Sequence, residues 1–141
     1  MTPKERAEKS AAAMWENDTA SQWMGMTRVM VDEGHAVISL LIEGHHCNGH
    51  GMCHGGVTFS LADTAFAFSC NSRNQSTVAQ NNMITYVAPA RAGDTLTATA
   101  REVSLTGRSG IYDVCIRNQN DEVIAEMRGL SRSIKGQLFK E

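Results

Sequence analysis

The alternation of apolar and polar residues divides this chain into helical and strand-forming segments. Residues 4–18 combine good helix formers with a run of alanines, which predicts an N-terminal helix, and residues 19–26 predict a short helical turn. Residues 26–43 break at residues 32–34, and after the break apolar side chains recur at every second position, at Ala36, Ile38, Leu40 and Ile42, which predicts a β-hairpin. Four further strands, separated by turn residues, are predicted over residues 77–89, 94–106, 110–120 and 122–134. Successive strands with short turns indicate an antiparallel meander.

One helix interrupts this series of strands. Residues 55–74 are apolar on nearly all sides, and Asp63 is the only charge before Arg73. A helix that is apolar all round is usually buried. A curved antiparallel sheet wrapped around one long central helix would bury it. We therefore predict an α+β fold, with the N-terminal helix added, in a single domain spanning residues 1–141.

Composition and charge exclude several classes of protein. The 141 residues are 42% hydrophobic and 20% charged, which is typical of a soluble globular domain. A net charge of −2 argues against nucleic acid or an acidic membrane surface as the main partner. No apolar run approaches the roughly 20 residues of a membrane span, and the first residues do not resemble a signal peptide. We expect a cytoplasmic protein with reduced thiols, in which Cys70 and Cys115 pack in the core.

Residues 45–54, HHCNGHGMCH, concentrate the candidate chemistry of the chain. A zinc site would need four nitrogen or sulfur ligands, commonly in pairs with short spacings. Five residues separate Cys47 from Cys53, and no second Cys or His pair follows. This spacing lies outside the usual zinc patterns, so we expect no metal.

The same segment also contains a possible Cys/His nucleophile. Such a site needs a thiolate held beside an imidazole. Cys53 and His54 are adjacent in the chain, and adjacent side chains diverge in most backbone conformations. We therefore rank this interpretation below the metal site.

The third interpretation begins from the glycines Gly55 and Gly56, at the start of the central helix. The first N–H groups of a helix have no partner within it, and the helix dipole favours negative charge there. On the glycines alone, a tight turn from the loop into the helix is the better explanation. Asp63 favours a functional role, since a charge on a buried helix is costly unless it is paired or faces a cleft. The two features together suggest acyl chemistry, with an N–H that stabilises an oxyanion and a carboxylate that activates water or attacks directly.

The spacing of these two features predicts an oligomer. Asp63 lies eight residues after Gly55, or roughly 12 Å along a helix axis at about 1.5 Å per residue. Reacting atoms must approach to about 3–3.5 Å. Two antiparallel helices from neighbouring subunits would bring Gly55 of one to Asp63 of the other, so we expect an intersubunit site.

The chain resembles a known family across nearly its whole length, from Met14 to Lys135. Residues 48–72 carry the pattern N-x5-HGG-x4-LAD, and residues 92–100 read AGDTLTATA. The N-terminal helix ends in Trp-Glu-Asn-Asp at residues 15–18. These features are similar to those of the hotdog-fold acyl-CoA thioesterases of the phenylacetate-degradation type.

The resemblance implies a role for each matching residue. Asn48 matches the family's active-site Asn, His54 its loop His, and Gly55 its oxyanion N–H. Asp63 matches the catalytic carboxylate, and Thr64 follows it. The resemblance also implies acyl-CoA substrates, notably phenylacetyl-CoA and its ring-hydroxylated relatives, and a dimer of dimers. The alternatives are an Asn-Gly turn for Asn48 and a loop hydrogen bond for His54; with the resemblance we favour a functional role for both, more strongly for Asn48.

No cofactor is implied beyond the coenzyme A of the substrate. Its phosphates should meet arginines. Arg91 and Arg108 are the candidates, although solvated surface charges are the better explanation of both. Two other functions are compatible with the pattern. One is a hotdog-fold enoyl-CoA hydratase or dehydratase, and the other is a non-catalytic protein that binds acyl-CoA or a metal.

Overall fold

The computed structural model describes residues 1–141 as one six-stranded antiparallel sheet that packs against a long helix. The helices are α1 (Pro3–Glu16), α2 (Thr19–Met24) and α3 (Gly55–Cys70). The strands are β1 (Thr27–Asp32), β2 (His35–Leu41), β3 (Thr77–Tyr86), β4 (Thr95–Thr106), β5 (Ser109–Arg117) and β6 (Val123–Ser133). Helix α3 contacts all six strands, which confirms the predicted α+β architecture. None of the helices is long and apolar enough to cross a membrane.

The order of the strands corrects one part of the prediction. The order across the sheet is β1-β2-β4-β5-β6-β3, with every neighbouring pair antiparallel. Strands β4, β5 and β6 form the predicted meander, but β3 pairs with β6 rather than with β4. The reason is that α3 crosses the sheet and delivers the chain to the opposite edge. Strands β1 and β3 are therefore the two edges.

The N-terminal helices are bounded by side-chain caps. The side chain of Thr2 accepts from Glu5 N–H, and the side chain of Glu5 accepts from Thr2 N–H, so that a capping box starts α1. The predicted helix over residues 4–18 ends two residues early, at Glu16. It ends there because the carboxylate of Asp18 accepts from Ser21 N–H and caps α2 instead.

Helix α3 also ends earlier than the pattern predicts, at Cys70 rather than at residue 74. Asn71 explains the difference. Its side-chain amide donates to Ala67 O and Thr77 O, and its Oδ1 accepts from Thr77 N–H. One amide therefore replaces the next helical turn and ties the end of α3 to the start of β3.

The core lies between α3 and the concave face of the sheet. Helix α3 contributes fully buried apolar side chains that include Leu61, Ala62, Ala65 and Phe66. The facing sheet residues are Ala36, Ile38, Leu40, Leu96, Ala98, Ala100, Tyr112, Val114 and Ile116. Three of these facing residues are alanines, which let the helix lie close to the sheet.

Two expectations about burial are wrong in detail. Cys70 is buried as predicted, but Cys115 is only half-buried, because it alternates with Val114 and Ile116 and points to the outer face of β5. Helix α3 is not enclosed on all sides either. The sheet covers one side of α3, and α1 and α2 cover the other side only in part, so that Ser60, Asp63, Thr64 and Ala67 are half-buried.

Gly129 on β6 should be intolerant of a side chain. A Cβ at this position would lie 2.8 Å from Phe66 Cε2 and 2.9 Å from Asn82 Oδ1. We expect Gly129→Ala to lower the free energy of unfolding by about 1–3 kcal/mol in urea denaturation, as overpacking does elsewhere. Gly44→Ala is the matched control, because no atom lies within 4 Å of its added Cβ. Equal stability of the two variants would contradict this account of the core.

Candidate functional site

The segment before α3 forms a small hairpin that presents Asn48. Asn48 N–H donates to Met52 O at 2.8 Å, and His54 N–H donates to His46 O at 2.8 Å. Asn48 Oδ1 accepts from the N–H groups of His50 and Met52, at 3.0 and 3.3 Å. This oxygen therefore closes the turn, as in the Asn-Gly interpretation, while the Nδ2 group makes no hydrogen bond within the chain and remains available as a donor.

Helix α3 begins at Gly55, where the glycine pattern placed its start. His54 is the N-cap residue: its Nδ1 accepts from Gly56 N–H at 2.8 Å. The next two N–H groups donate to His54 O. Gly55 N–H is therefore the donor of the first turn without a partner in the chain, at the positive end of the helix dipole.

Gly55 and Asn48 line one cavity of about 330 Å³. Its other walls are Met52, Cys53, Thr58, Tyr86, Val87, Ala88, Pro89, Ala90 and Ile124. The hydroxyl of Tyr86 donates to Gly55 O at 2.9 Å, and a Cβ on Gly55 would lie 3.2 Å from that hydroxyl. The close approach of Tyr86 explains why glycine occupies this position.

Asp63 and Thr64 line a second cavity, of about 260 Å³, between α3 and the two N-terminal helices. Thr64 Oγ1 lies 3.2 Å from Ser21 Oγ, which joins α3 to α2. The remaining walls are mostly apolar and comprise Met14, Asp18, Ala20, Met24, Met26, Phe59, Ser60, Ala67 and Phe68. A carboxylate therefore faces a pocket suited to an apolar group.

The electrostatic state of Asp63 depends on burial and on one neighbour. Burial raises the pKa of Asp63, while a hydrogen bond from Asn82 Nδ2 to its Oδ1, at 2.8 Å, lowers the pKa in part. Asn82 Oδ1 is itself buried and has no hydrogen-bond partner. The carboxyl thus keeps a pKa above the ordinary range of aspartate, next to an unused acceptor.

Asn82 is the residue that the sequence interpretation missed. On β3, Asn82 and Ile84 are half-buried, whereas Asn81 and Met83 are exposed. A polar residue in the inward-facing set of a strand was the available signal. Only the register of β3, however, shows that it meets Asp63.

The aromatic side chains on and near α3 lie in different environments. Phe59 and Phe68 line the Asp63 cavity, and Tyr86 lines the Gly55 cavity. Phe66 is in the core, with its ring centroid 5.5 Å from that of Tyr112. Trp23, in contrast, is 79% exposed.

The histidine-rich segment does not assemble a metal site. The structure brings together no group of three His, Cys, Asp or Glu side chains that would hold an ion. His46 is buried and occupied on both ring nitrogens, because Nδ1 accepts from Glu43 N–H and Nε2 lies 2.8 Å from Met24 O. This histidine is therefore part of the fold.

The two candidate arginines lie in different places. Arg91 is exposed and pairs with Met52, so it lies next to the Gly55 cavity. Arg108, in the turn between β4 and β5, donates to Ser133 O and lines another cavity with Gln75 and Lys135. Within one chain, only Arg91 is near Gly55.

One chain does not bring the two halves of the predicted site together. Gly55 and Asn48 line one cavity, and Asp63 and Thr64 line the other. Because α3 is continuous from Gly55 to Cys70, Asp63 lies roughly 12 Å further along its axis. The two parts therefore stay apart within one chain, and the intersubunit site remains a prediction.

The raised pKa of Asp63 has a consequence for stability. When the pKa of a carboxyl is higher in the folded than in the unfolded chain, its ionisation lowers the free energy of unfolding at neutral pH. This destabilisation disappears below the pKa of the unfolded chain. We expect Asp63→Asn, which retains the contact with Asn82, to raise the melting temperature at about pH 8. The difference should shrink as the pH falls to about 4. Thermal unfolding at both pH values tests this; a lower melting temperature at pH 8 would contradict it.

Comparison with known proteins places these features in a family. A family model described as "Thioesterase superfamily" matches residues 50–125. The chain is similar to the acyl-coenzyme A thioesterase PaaI of Escherichia coli K12, with 43% identity over 96% of this chain and 97% of that protein. It is also 34% identical to a putative esterase of Archaeoglobus fulgidus, over 82% of this chain and 75% of that protein.

Solved structures support the same assignment. The E. coli PaaI structure superposes with a TM-score of 0.95 at 42% identity and covers 96% of this chain and 99% of its own. A phenylacetic acid degradation protein PaaI from Thermus thermophilus gives a TM-score of 0.80 at 30% identity, over 83% of this chain and 100% of its own. The six-stranded sheet around α3 is thus the hotdog fold, and this chain is an enzyme of the thioesterase superfamily.

Proposed function

We propose that this enzyme hydrolyses acyl-CoA thioesters, and that aryl-acetyl groups such as phenylacetyl and its ring-hydroxylated forms are its acyl substrates. The observation that carries the proposal is the unpaired Gly55 N–H at the start of α3, in the same cavity as Asn48, whose Nδ2 group is free to donate. The name of the E. coli relative, an acyl-coenzyme A thioesterase, supports the choice of thioester.

The active unit in this proposal contains two chains. The partner subunit's Asp63 meets Gly55 of the first chain, since one helix holds the two about 12 Å apart. The half-buried side of α3 supports a helix-to-helix contact across the interface. Strand β3 supports it as well, because it is an edge strand with exposed Val78, Met83 and Tyr86. Two such dimers would pair into the homotetramer that the family resemblance implies.

The oxyanion is stabilised at the start of α3. Gly55 N–H donates to the thioester carbonyl oxygen, and the helix dipole adds positive potential where negative charge develops. Asn48 Nδ2 is the second donor, or it orients the attacking water, because its Oδ1 is already engaged in the turn. His54 braces the site by capping Gly56 N–H rather than by exchanging protons.

The carboxylate of Asp63 supplies the attack. As a general base it takes a proton from water while the oxygen of that water bonds to the carbonyl carbon; the tetrahedral intermediate then expels the coenzyme A thiolate, which takes up a proton. As a nucleophile its oxygen bonds to the carbonyl carbon and expels the coenzyme A thiolate, which takes up a proton; water then hydrolyses the resulting mixed anhydride. Both routes need the ionised carboxylate. Asn82 positions it through the hydrogen bond to Oδ1, and Thr64 anchors the same turn of α3 to Ser21.

The two cavities suggest where the parts of the substrate lie. The apolar pocket beside Asp63, with Met14, Phe59 and Phe68 among its walls, suits an aryl ring. Arg91, next to the Gly55 cavity, is the nearer candidate for the coenzyme A phosphates, and Arg108 would have to act from another chain. The reaction as proposed uses no cofactor beyond the coenzyme A of the substrate.

Removal of the base or of the oxyanion donor should each stop the reaction. We expect Asp63→Asn to lower kcat about 10²-fold or more in thiol release from phenylacetyl-CoA, with folding intact. Gly55→Pro removes the N–H at a position where proline suits a helix, and should abolish turnover. Gly55→Ala keeps the N–H but places a Cβ close to Tyr86. It therefore separates the loss of the N–H from the effect of an added side chain. Asp113→Asn, at an exposed pair with Arg128, is the control and should retain activity.

Mixing the two inactive variants tests the shared site. After subunit exchange, a chain with Asp63→Asn and a chain with Gly55→Pro together contain one complete site per mixed dimer. Random exchange of equal amounts should recover about a quarter of the wild-type activity if the donor and the base come from different chains. No recovery despite confirmed exchange would place the site within one chain. If the wild type hydrolyses no acyl-CoA but hydrates an enoyl-CoA, the proposed thioesterase function is wrong and the protein is a hydratase.

The hydrogen bond from Asn82 should appear in the pH profile. Activity requires the Asp63 carboxylate, so kcat/KM falls as the pH drops through the raised pKa of Asp63. Asn82→Ala removes the contact that lowers this pKa, and the acid limb of kcat/KM should therefore move to higher pH. Asn81→Ala, one residue away and exposed, is the matched control and should leave the limb in place. If the acid limb of kcat/KM does not shift in Asn82→Ala, the proposed role of Asn82 in positioning Asp63 is wrong.

A further inference from the structure

Cys47 and Cys53 face each other across the hairpin that carries Asn48. They form an isolated antiparallel pair. The flanking hydrogen bonds, from Asn48 N–H to Met52 O and from His54 N–H to His46 O, show that the pair is of the non-hydrogen-bonded kind. In such a pair the Cα atoms lie about 4.5 Å apart and the side chains share one face. Disulfides span Cα separations of about 4.4–6.8 Å, so the two thiols are within bonding reach.

The two thiols have different surroundings, which determine the order in which they react. Cys47 is half-buried, and its Sγ has only a weak contact, 3.6 Å from Glu43 O. Cys53 is buried, with its Sγ 3.5 Å from Thr58 Oγ1 and 3.7 Å from His54 O. Burial raises the pKa of the Cys53 thiol, and the neighbouring Cys47 adds to that effect. Cys47 is therefore the thiol that reacts first, and Cys53 is the one that resolves.

The other two cysteines do not compete for this role. Burial raises the pKa of Cys70 to about 12 at the end of α3, which keeps that thiol protonated. Cys115 lies on the outer face of β5, beside Glu126, and burial raises the pKa of its thiol too. Neither belongs to the hairpin.

We propose that Cys47 and Cys53 are a redox modification site, at which a small-molecule disulfide such as oxidised glutathione closes a reversible bond across the Asn48 hairpin and slows the enzyme. This inference rests on the proposed function for its effect on turnover, whereas the bond itself is independent of that function.

The chemistry is two successive thiol–disulfide exchanges. The Cys47 thiolate attacks one sulfur of oxidised glutathione, forms a mixed disulfide and releases the first glutathione thiol. The Cys53 thiol then loses its proton and attacks the Cys47 sulfur, which releases the second glutathione thiol. Two protein thiols are oxidised to one disulfide, and one glutathione disulfide is reduced to two thiols.

The position of the bond explains its effect. It closes the turn that holds Asn48, and Cys53 immediately precedes His54, the cap of α3. The separation of about 4.5 Å lies at the lower end of the range that disulfides span, below its mode of about 5.5–6 Å, and we expect the resulting strain to make the bond easily reduced. Catalytic geometry tolerates little displacement, so we expect kcat/KM to fall about tenfold on oxidation and to return on reduction.

The test uses the full chain, reduced and then incubated with oxidised glutathione. Intact mass should show the loss of two hydrogen atoms, without bound glutathione, and two of the four thiols should become unreactive. Peptide mapping should link Cys47 to Cys53, and dithiothreitol should reverse the bond. A glutathione adduct that persists on Cys47, or a bond between other cysteines, would overturn the proposal.

Two variants connect the bond to turnover. Cys47→Ala should keep the activity of the reduced enzyme and lose its sensitivity to oxidised glutathione, whereas Cys115→Ala should keep both. If the Cys47–Cys53 bond forms but kcat/KM is unchanged, the proposal that the bond slows the enzyme is wrong. If the reduced enzyme hydrolyses no acyl-CoA, the proposed function fails, and the mass and mapping results still decide whether the bond forms.

Discussion

The packing of α3 against the concave face of the sheet is the constraint on which the other features depend. Small residues at Ala36, Ala98 and Ala100 let the helix lie close, and its apolar side chains complete the core. Because this contact fixes the axis of the helix, it also fixes the direction of Gly55 N–H and the depth of Asp63. The same burial that stabilises the fold therefore sets the electrostatics of the site.

Asp63 shows how stability and chemistry are balanced on that helix. A buried carboxylate is a cost to the fold, and the chain offsets only part of it with one hydrogen bond from Asn82. A better-paired carboxylate would be more stable but a weaker base. Gly55 N–H is likewise a donor without a partner in the chain. It lies where the carbonyl oxygen of the proposed substrate would accept from it.

Much of this arrangement follows from local patterns in the sequence. Period-two alternation located β2, β4 and β5, and Asp63 was conspicuous because it is the one charge on an apolar helix. The place of β3 did not follow, since strand pairing depends on how α3 crosses the sheet, which periodicity does not encode. Asn82 was missed for the same reason: its contact with Asp63 exists only once β3 is paired with β6. The Cys47–Cys53 pair likewise needs the hairpin register.

Strand β3 has a consequence for the newly made chain. It is a ten-residue edge strand whose exposed side chains include Val78, Met83 and Tyr86, and no proline interrupts it. Such an edge offers unpaired N–H and C=O groups to any other strand and favours aggregation. In the proposed dimer the partner subunit would cover this edge, whereas an isolated chain leaves it open to misassembly. Rapid pairing of subunits would then protect the protein during synthesis as well as complete the proposed site.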